Sequence, residues 1–136
     1  MTIRFPSEEW VKEWEKRLNE SESWKAASAN WEGDNLIVIL PDDDYKETTY
    51  IYINAQHGLA SEACLPKALD EKKAAFTSTA PFGTWRKVLE GRMDVIQAMF
   101  SNKIKLVGSM AAIQRQPKAT YEFVKVAGTI DTDWGV

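Results

Sequence analysis

Residues 74–110, AAFTSTAPFGTWRKVLEGRMDVIQAMFSNKIKLVGSM, hold the pattern that decides the fold class. The stretch opens on an apolar segment, Ala74 to Ala80, a weak strand because alanine has low strand propensity. After Pro81 the apolar period changes from two to about 3.6. Trp85, Val88 and Leu89 form one helical stripe, Val95, Ile96, Met99 and Phe100 form a second, and Gly91 separates them. Lys103 to Val107 then returns to alternation, with Ile104 and Leu106 on one side and Lys103 and Lys105 on the other, until Gly108. A strand, two short helices and a strand are predicted in that order.

Working outward toward the amino terminus, Asn35-Leu-Ile-Val-Ile-Leu40 lies between Gly33 and Pro41 and is rich in branched side chains, as a buried strand should be. The acidic turn Asp42-Asp43-Asp44 leads into Tyr45 to Asn54, where Ile51 and Ile53 alternate with Tyr50 and Tyr52; this is its hairpin partner, closed by Gly58. Leu59 to Leu65 is a weaker strand, separated from Ala74 by Pro66 and the polar turn Asp70-Glu71-Lys72-Lys73. Before all of these, Ser7 caps a helix with Glu8 and Glu9 in its first turn and Trp10, Val11, Trp14 and Leu18 on one face. Ser21 caps a short second helix, with Trp24, Ala27 and Trp31 at helical steps. Toward the carboxyl terminus, Met110, Ile113, Tyr121 and Val124 keep helical spacing, and Pro117 should kink or split that last helix.

These elements describe a single domain over residues 1–136, of class α+β: a five-stranded, mainly antiparallel sheet with helices on one face. The crossover between the fourth and fifth strands should be right-handed. With 136 residues, 44% of them hydrophobic, one core is expected. The net charge is −3 and the 17 basic residues are scattered, which argues against nucleic acid as a partner. No apolar run approaches the roughly 20 residues of a membrane span, so no transmembrane segment is expected. The segment after Met1 is charged rather than signal-like, and the single cysteine suits a reducing compartment; both favour a cytoplasmic location.

Residues 74–110 resemble the signature half of the sterol carrier protein type 2 (sterol-transfer) family. The matching pieces are Leu89 and Gly91-Arg92, then Ala98-Met99, then Lys103-Ile104-Lys105-Leu106, then Gly108. Arg92 stands where the family usually has Lys, Ser101-Asn102 where a Gly usually precedes the Lys, and Pro117 interrupts the terminal helix. Asn102 is a fitting replacement at that turn, since asparagine tolerates positive φ. The resemblance implies an apolar tunnel between sheet and helices that carries a fatty acid, a fatty acyl thioester or a sterol-like molecule without catalysis.

Stripes of methionine and aromatic residues are more often core than pocket. Here Met93, Met99 and Met110 beside Trp85 and Phe100, on short helices broken by glycine, together with the resemblance, favour a pocket for a variable guest. The expected lining is Phe76, Trp85, Leu89, Met93, Ile96, Met99, Phe100, Ile104, Leu106, Met110 and Ile113. No cofactor follows from the sequence: the seven glycines show no nucleotide-binding spacing, and Asp42-Asp43-Asp44 lacks the pattern of a calcium loop and reads as a solvated turn. Two alternatives stay open. Four tryptophans in the first 31 residues are compatible with an interaction or homodimerisation module. His57 and Cys64, as base and nucleophile of a small hydrolase, are the less favoured reading, because no third group is evident to orient the base.

Overall fold

A computed structural model describes residues 2–136. The chain begins with β1 (Ile3–Arg4), followed by α1 (Glu8–Glu20) and α2 (Glu22–Ala27). Three strands follow: β2 (Asn35–Leu40), β3 (Thr49–Gln56) and β4 (Leu59–Cys64). Next come β5 (Phe76–Pro81), α3 (Phe82–Leu89), α4 (Val95–Phe100) and β6 (Lys105–Val107). The chain closes with α5 (Met110–Arg115), α6 (Pro117–Ala127) and β7 (Thr132–Asp133).

Local chemistry starts and stops the helices as the sequence suggests. Ser7 accepts from the Trp10 N–H at 3.1 Å and Ser21 from the Trp24 N–H at 3.1 Å, so each satisfies an otherwise orphan donor. Pro117 sits at the first position of α6, where its missing N–H costs nothing, and the terminal helix is split there. Asn102, in the turn before β6, has φ +62, the left-handed conformation for which asparagine is suited.

The sheet has the order β4-β3-β2-β5-β6. The central pair, β2 and β5, is parallel, and the other three pairings are antiparallel. The crossover expectation requires correction here. β5 and β6 are antiparallel neighbours, so the α3–α4 segment returns the chain to an adjacent antiparallel strand, and the handedness rule for parallel crossovers does not govern it. The pair β1–β7, parallel and joining the two ends of the chain, was not anticipated. Two strands also begin later than alternation suggests. β3 starts at Thr49, because Tyr45 belongs to the preceding loop and stacks on Phe82 at 4.9 Å; β5 starts at Phe76. Trp31 lies beyond α2, in the segment leading to β2.

Successive side chains of β2 point to opposite faces. Leu36 and Val38 join Tyr52 in a small cluster on one face, while Ile39 belongs to the main core with Ile51 and Ile53 of β3. The helices pack on that main-core side. Asn19 of α1 bonds the backbone of Ala60 in both directions, at 2.8 and 2.9 Å, and Glu15 accepts from the Ala63 N–H at 3.0 Å, which pins α1 along the edge strand β4.

Candidate functional site

Between sheet and helices lies a cavity of about 70 Å³. Its floor is the inner face of the sheet: Asn35 and Ile37 of β2, Ile51 and Ala55 of β3, Phe76 and Ser78 of β5, and Leu106 of β6. Trp10 and Trp14 of α1, Trp24 of α2 and Trp31 form one wall. Trp85, Val88 and Leu89 of α3 with Val95 and Met99 of α4 form another. Ile113 of α5 and Ala119, Thr120, Phe123 and Val124 of α6 also line the cavity. Among the described residues that line it none is charged.

The indoles are fixed by their polar ends. Trp10 donates to Thr132 Oγ1 at 3.0 Å, Trp14 to the Phe123 carbonyl at 3.2 Å, Trp31 to the Gly33 carbonyl at 3.0 Å and Trp85 to the Val38 carbonyl at 3.0 Å. With these N–H groups paired, the rings offer hydrocarbon surface to the cavity. Ring contacts add rigidity: Trp14 lies 4.5 Å from Phe123 and Trp31 5.1 Å from Phe76. Gly33 leaves room for that floor, since a Cβ there would come within 2.4 Å of the Phe76 ring.

Of the residues expected to line a pocket, Phe76, Trp85, Leu89, Met99, Leu106 and Ile113 border the cavity. The others do not. Phe100 is 54% exposed, Ile96 and Ile104 are buried in the core away from the cavity, Met110 is half-buried against that core, and Met93 faces an open groove between α3 and α6. Helical phase accounts for α4: Val95 and Met99 are four residues apart and share the inner face, while Ile96 and Phe100 are turned from it by about 100°. Ile104 precedes β6 and turns in under α4, its N–H donating to the Ala98 carbonyl at 3.0 Å.

The sequence reading missed the tryptophan wall and the α6 contribution. Trp10, Trp14, Trp24 and Trp31 are 1%, 3%, 1% and 7% exposed, so they supply no surface for a partner, and the interaction-module reading loses the feature that suggested it. The signal was present in their helical spacing, which marks a buried face without saying what it borders.

His57 and Cys64 do not meet. His57 sits in the β3–β4 turn and Cys64 at the far end of β4, a separation on the order of 15 Å along the strand. The His57 ring contacts the Ala29 carbonyl at 3.1 Å and Glu32 at 3.6 Å. Burial pushes the Cys64 thiol pKa above its ordinary value, the opposite of an activated nucleophile. Burial, and then the hydrogen bond to Asp34 at 2.6 Å, likewise raise that of Tyr52 on the same sheet face. Among the described residues no group of three His, Cys, Asp or Glu is arranged to hold a metal ion, and no helix is long and apolar enough to cross a membrane.

Comparison with solved structures places this architecture among sterol carrier proteins. A crystal structure of sterol carrier protein 2 superposes with a TM-score of 0.82 at 30% identity, covering 91% of this chain and 97% of that one. The solution structure of a conserved hypothetical protein, possibly sterol carrier protein, from Thermus thermophilus gives a TM-score of 0.83 at 29% identity, covering 93% and 90%. Sterol carrier protein 2 from Aedes aegypti, determined in complex with palmitate, shares the fold at 15% identity, with a TM-score of 0.55 and coverage of 87% and 93%. No curated protein matches the sequence. The model of the SCP-2 sterol transfer family matches residues 11–118, a span that takes in every strand of the main sheet and all the helices between α1 and the start of α6, and the chain belongs to that family.

Proposed function

We propose that residues 1–136 act as one domain that binds and carries a lipid-like molecule, without catalysing its conversion, in the cavity between sheet and helices. The observation that carries this reading is the cavity wall: five indoles and a set of aliphatic side chains, with no charge among the described lining residues, surround a space between sheet and helices. The fatty acid held by the Aedes aegypti relative supports an alkyl chain as part of the guest. Fatty acids, fatty acyl thioesters and sterol-like molecules all present such surface. Affinity then comes from apolar burial: roughly 14 methylenes at about 0.8 kcal/mol each give a gross gain near 11 kcal/mol, from which ordering costs are subtracted. A micromolar net affinity follows, with weak discrimination between neighbouring chain lengths.

Protein purified without detergent and examined by native mass spectrometry should carry, or take up after delipidation, one long-chain apolar molecule per monomer. Failure to bind any of a panel of acyl and sterol probes at micromolar concentration would remove the proposal. A ligand-free dimer would instead favour an assembly role.

A further inference from the structure

The cavity is apolar but not uniformly so, and two of its buried polar groups differ from the rest. Four of the five lining indoles spend their N–H on a protein acceptor, whereas the Trp24 Nε1 has no hydrogen-bond partner among the described residues although Trp24 is 1% exposed. Ser78, 6% exposed on the central strand β5, is the same: its hydroxyl has no partner among the described residues, in contrast to buried Ser28, which donates to the Trp24 carbonyl at 2.8 Å. Asn35 and Thr120, half-buried on the cavity wall, add an amide and a hydroxyl. Among the described residues no unpaired side-chain nitrogen or oxygen is sealed wholly inside packed protein, so the donors of buried Trp24 and Ser78 border open space, and the space these two residues line is the cavity. Buried indole and hydroxyl donors normally find acceptors, because leaving them unmade is costly. Ser78 is also misplaced for packing alone. Its cross-strand neighbours on the same face are Ile37 and Leu106, and a valine or alanine would continue that surface without a polar atom.

We infer that these groups form a polar subsite that receives a neutral oxygen acceptor of the guest, an ester or ketone carbonyl or a hydroxyl, inside the cavity. The inference rests on the lipid-carrying reading and narrows it. A carboxylate is disfavoured at this depth, since among the described residues no lysine, arginine or histidine lines the cavity to offset its desolvation. The indole can only donate, so an oxygen lone pair is the partner it requires. A plain hydrocarbon would leave the Trp24 and Ser78 donors unpaired, and a free fatty acid would have to keep its head group outside.

The experiment compares methyl decanoate, decanoate and decane as competitors of a fluorescent acyl probe on wild type, Ser78→Ala and Trp24→Phe. Ser78→Ala is the milder change and serves if Trp24→Phe perturbs folding. Each variant should weaken methyl decanoate about three- to tenfold more than it weakens decane or decanoate. Equal shifts for all three ligands, or none, would overturn the subsite and leave lipid carriage standing. Loss of probe binding by wild type itself would remove both.

Discussion

Met99 and Phe100 are adjacent in α4 yet have different surroundings, because one helical step turns Phe100 out to 54% exposure while Met99 stays half-buried on the cavity. Met99→Trp should therefore lower affinity for an acyl probe at least tenfold with little change in the urea midpoint, whereas Phe100→Ala should change neither by much. If the space beside Met99 were ordinary packing, the extra volume would cost about 1–3 kcal/mol with binding intact in the folded fraction, and that result would dismiss the cavity reading. Cys64 gives a second residue-level prediction. Burial raises the thiol pKa above the ordinary 9.0, so folding favours the protonated form. That contribution to stability is complete below the ordinary thiol range and is lost as pH rises through the raised value. Cys64 should react with a disulfide reagent at pH 8 more slowly than free cysteine. Cys64→Ala should lose less stability than wild type between pH 8 and 10. Fast labelling in the folded state would contradict the burial argument.

Asp94 organises more of the helical layer than its exposed position suggests. Its carboxylate accepts from the Ile96 and Gln97 N–H groups at 2.9 and 3.2 Å, capping α4, and from the Tyr121 hydroxyl of α6 at 3.0 Å. Asp94→Ala should cost about 1–2 kcal/mol by urea unfolding. It should also weaken probe binding, because α4 carries Val95 and Met99 and α6 carries Thr120 and Val124; Tyr121→Phe should reproduce only the smaller part. If Asp94→Ala lowers stability without touching binding, α4 holds its place by apolar packing alone. This element also shows what the sequence discloses. Caps, Pro117 and Gly91 were legible because they act within a turn or two of themselves, and so were strands marked by alternation. The β1–β7 pair was not, since two residues at each end of the chain carry no periodicity and only the fold brings Ile3 to Thr132. The tryptophan wall was half legible: spacing placed Trp10 and Trp14 on a buried face, but no local rule reveals that α6 and a cavity lie opposite.

At the scale of the whole molecule, the cavity and its proposed guest do not match in size. About 70 Å³ is half of the roughly 150 Å³ that accommodates one benzene in an engineered cavity, so a long alkyl chain requires the space to grow. The sheet is held by backbone ladders across five strands, whereas the covering layer consists of short helices joined by side-chain contacts and by the break at Gln116 between α5 and α6. Growth therefore belongs to the helices, at some cost in contacts that the guest's own burial offsets. Two readouts follow. Five of the six tryptophans line the cavity, so saturating guest should shift the intrinsic emission maximum as their surroundings change. Because the guest binds the folded state, stability should rise by about 2.7 kcal/mol at a free concentration 100 times Kd, or roughly 8–11 °C in Tm at about 3–4 °C per kcal/mol. The rise should continue logarithmically with concentration, and it should shrink in Met99→Trp, whose indole occupies the same space. Probe fluorescence that saturates while Tm and tryptophan emission stay fixed would mean that the probe binds the unfolded chain as well as the folded one, at no site made by the fold, and carriage in the cavity would fall.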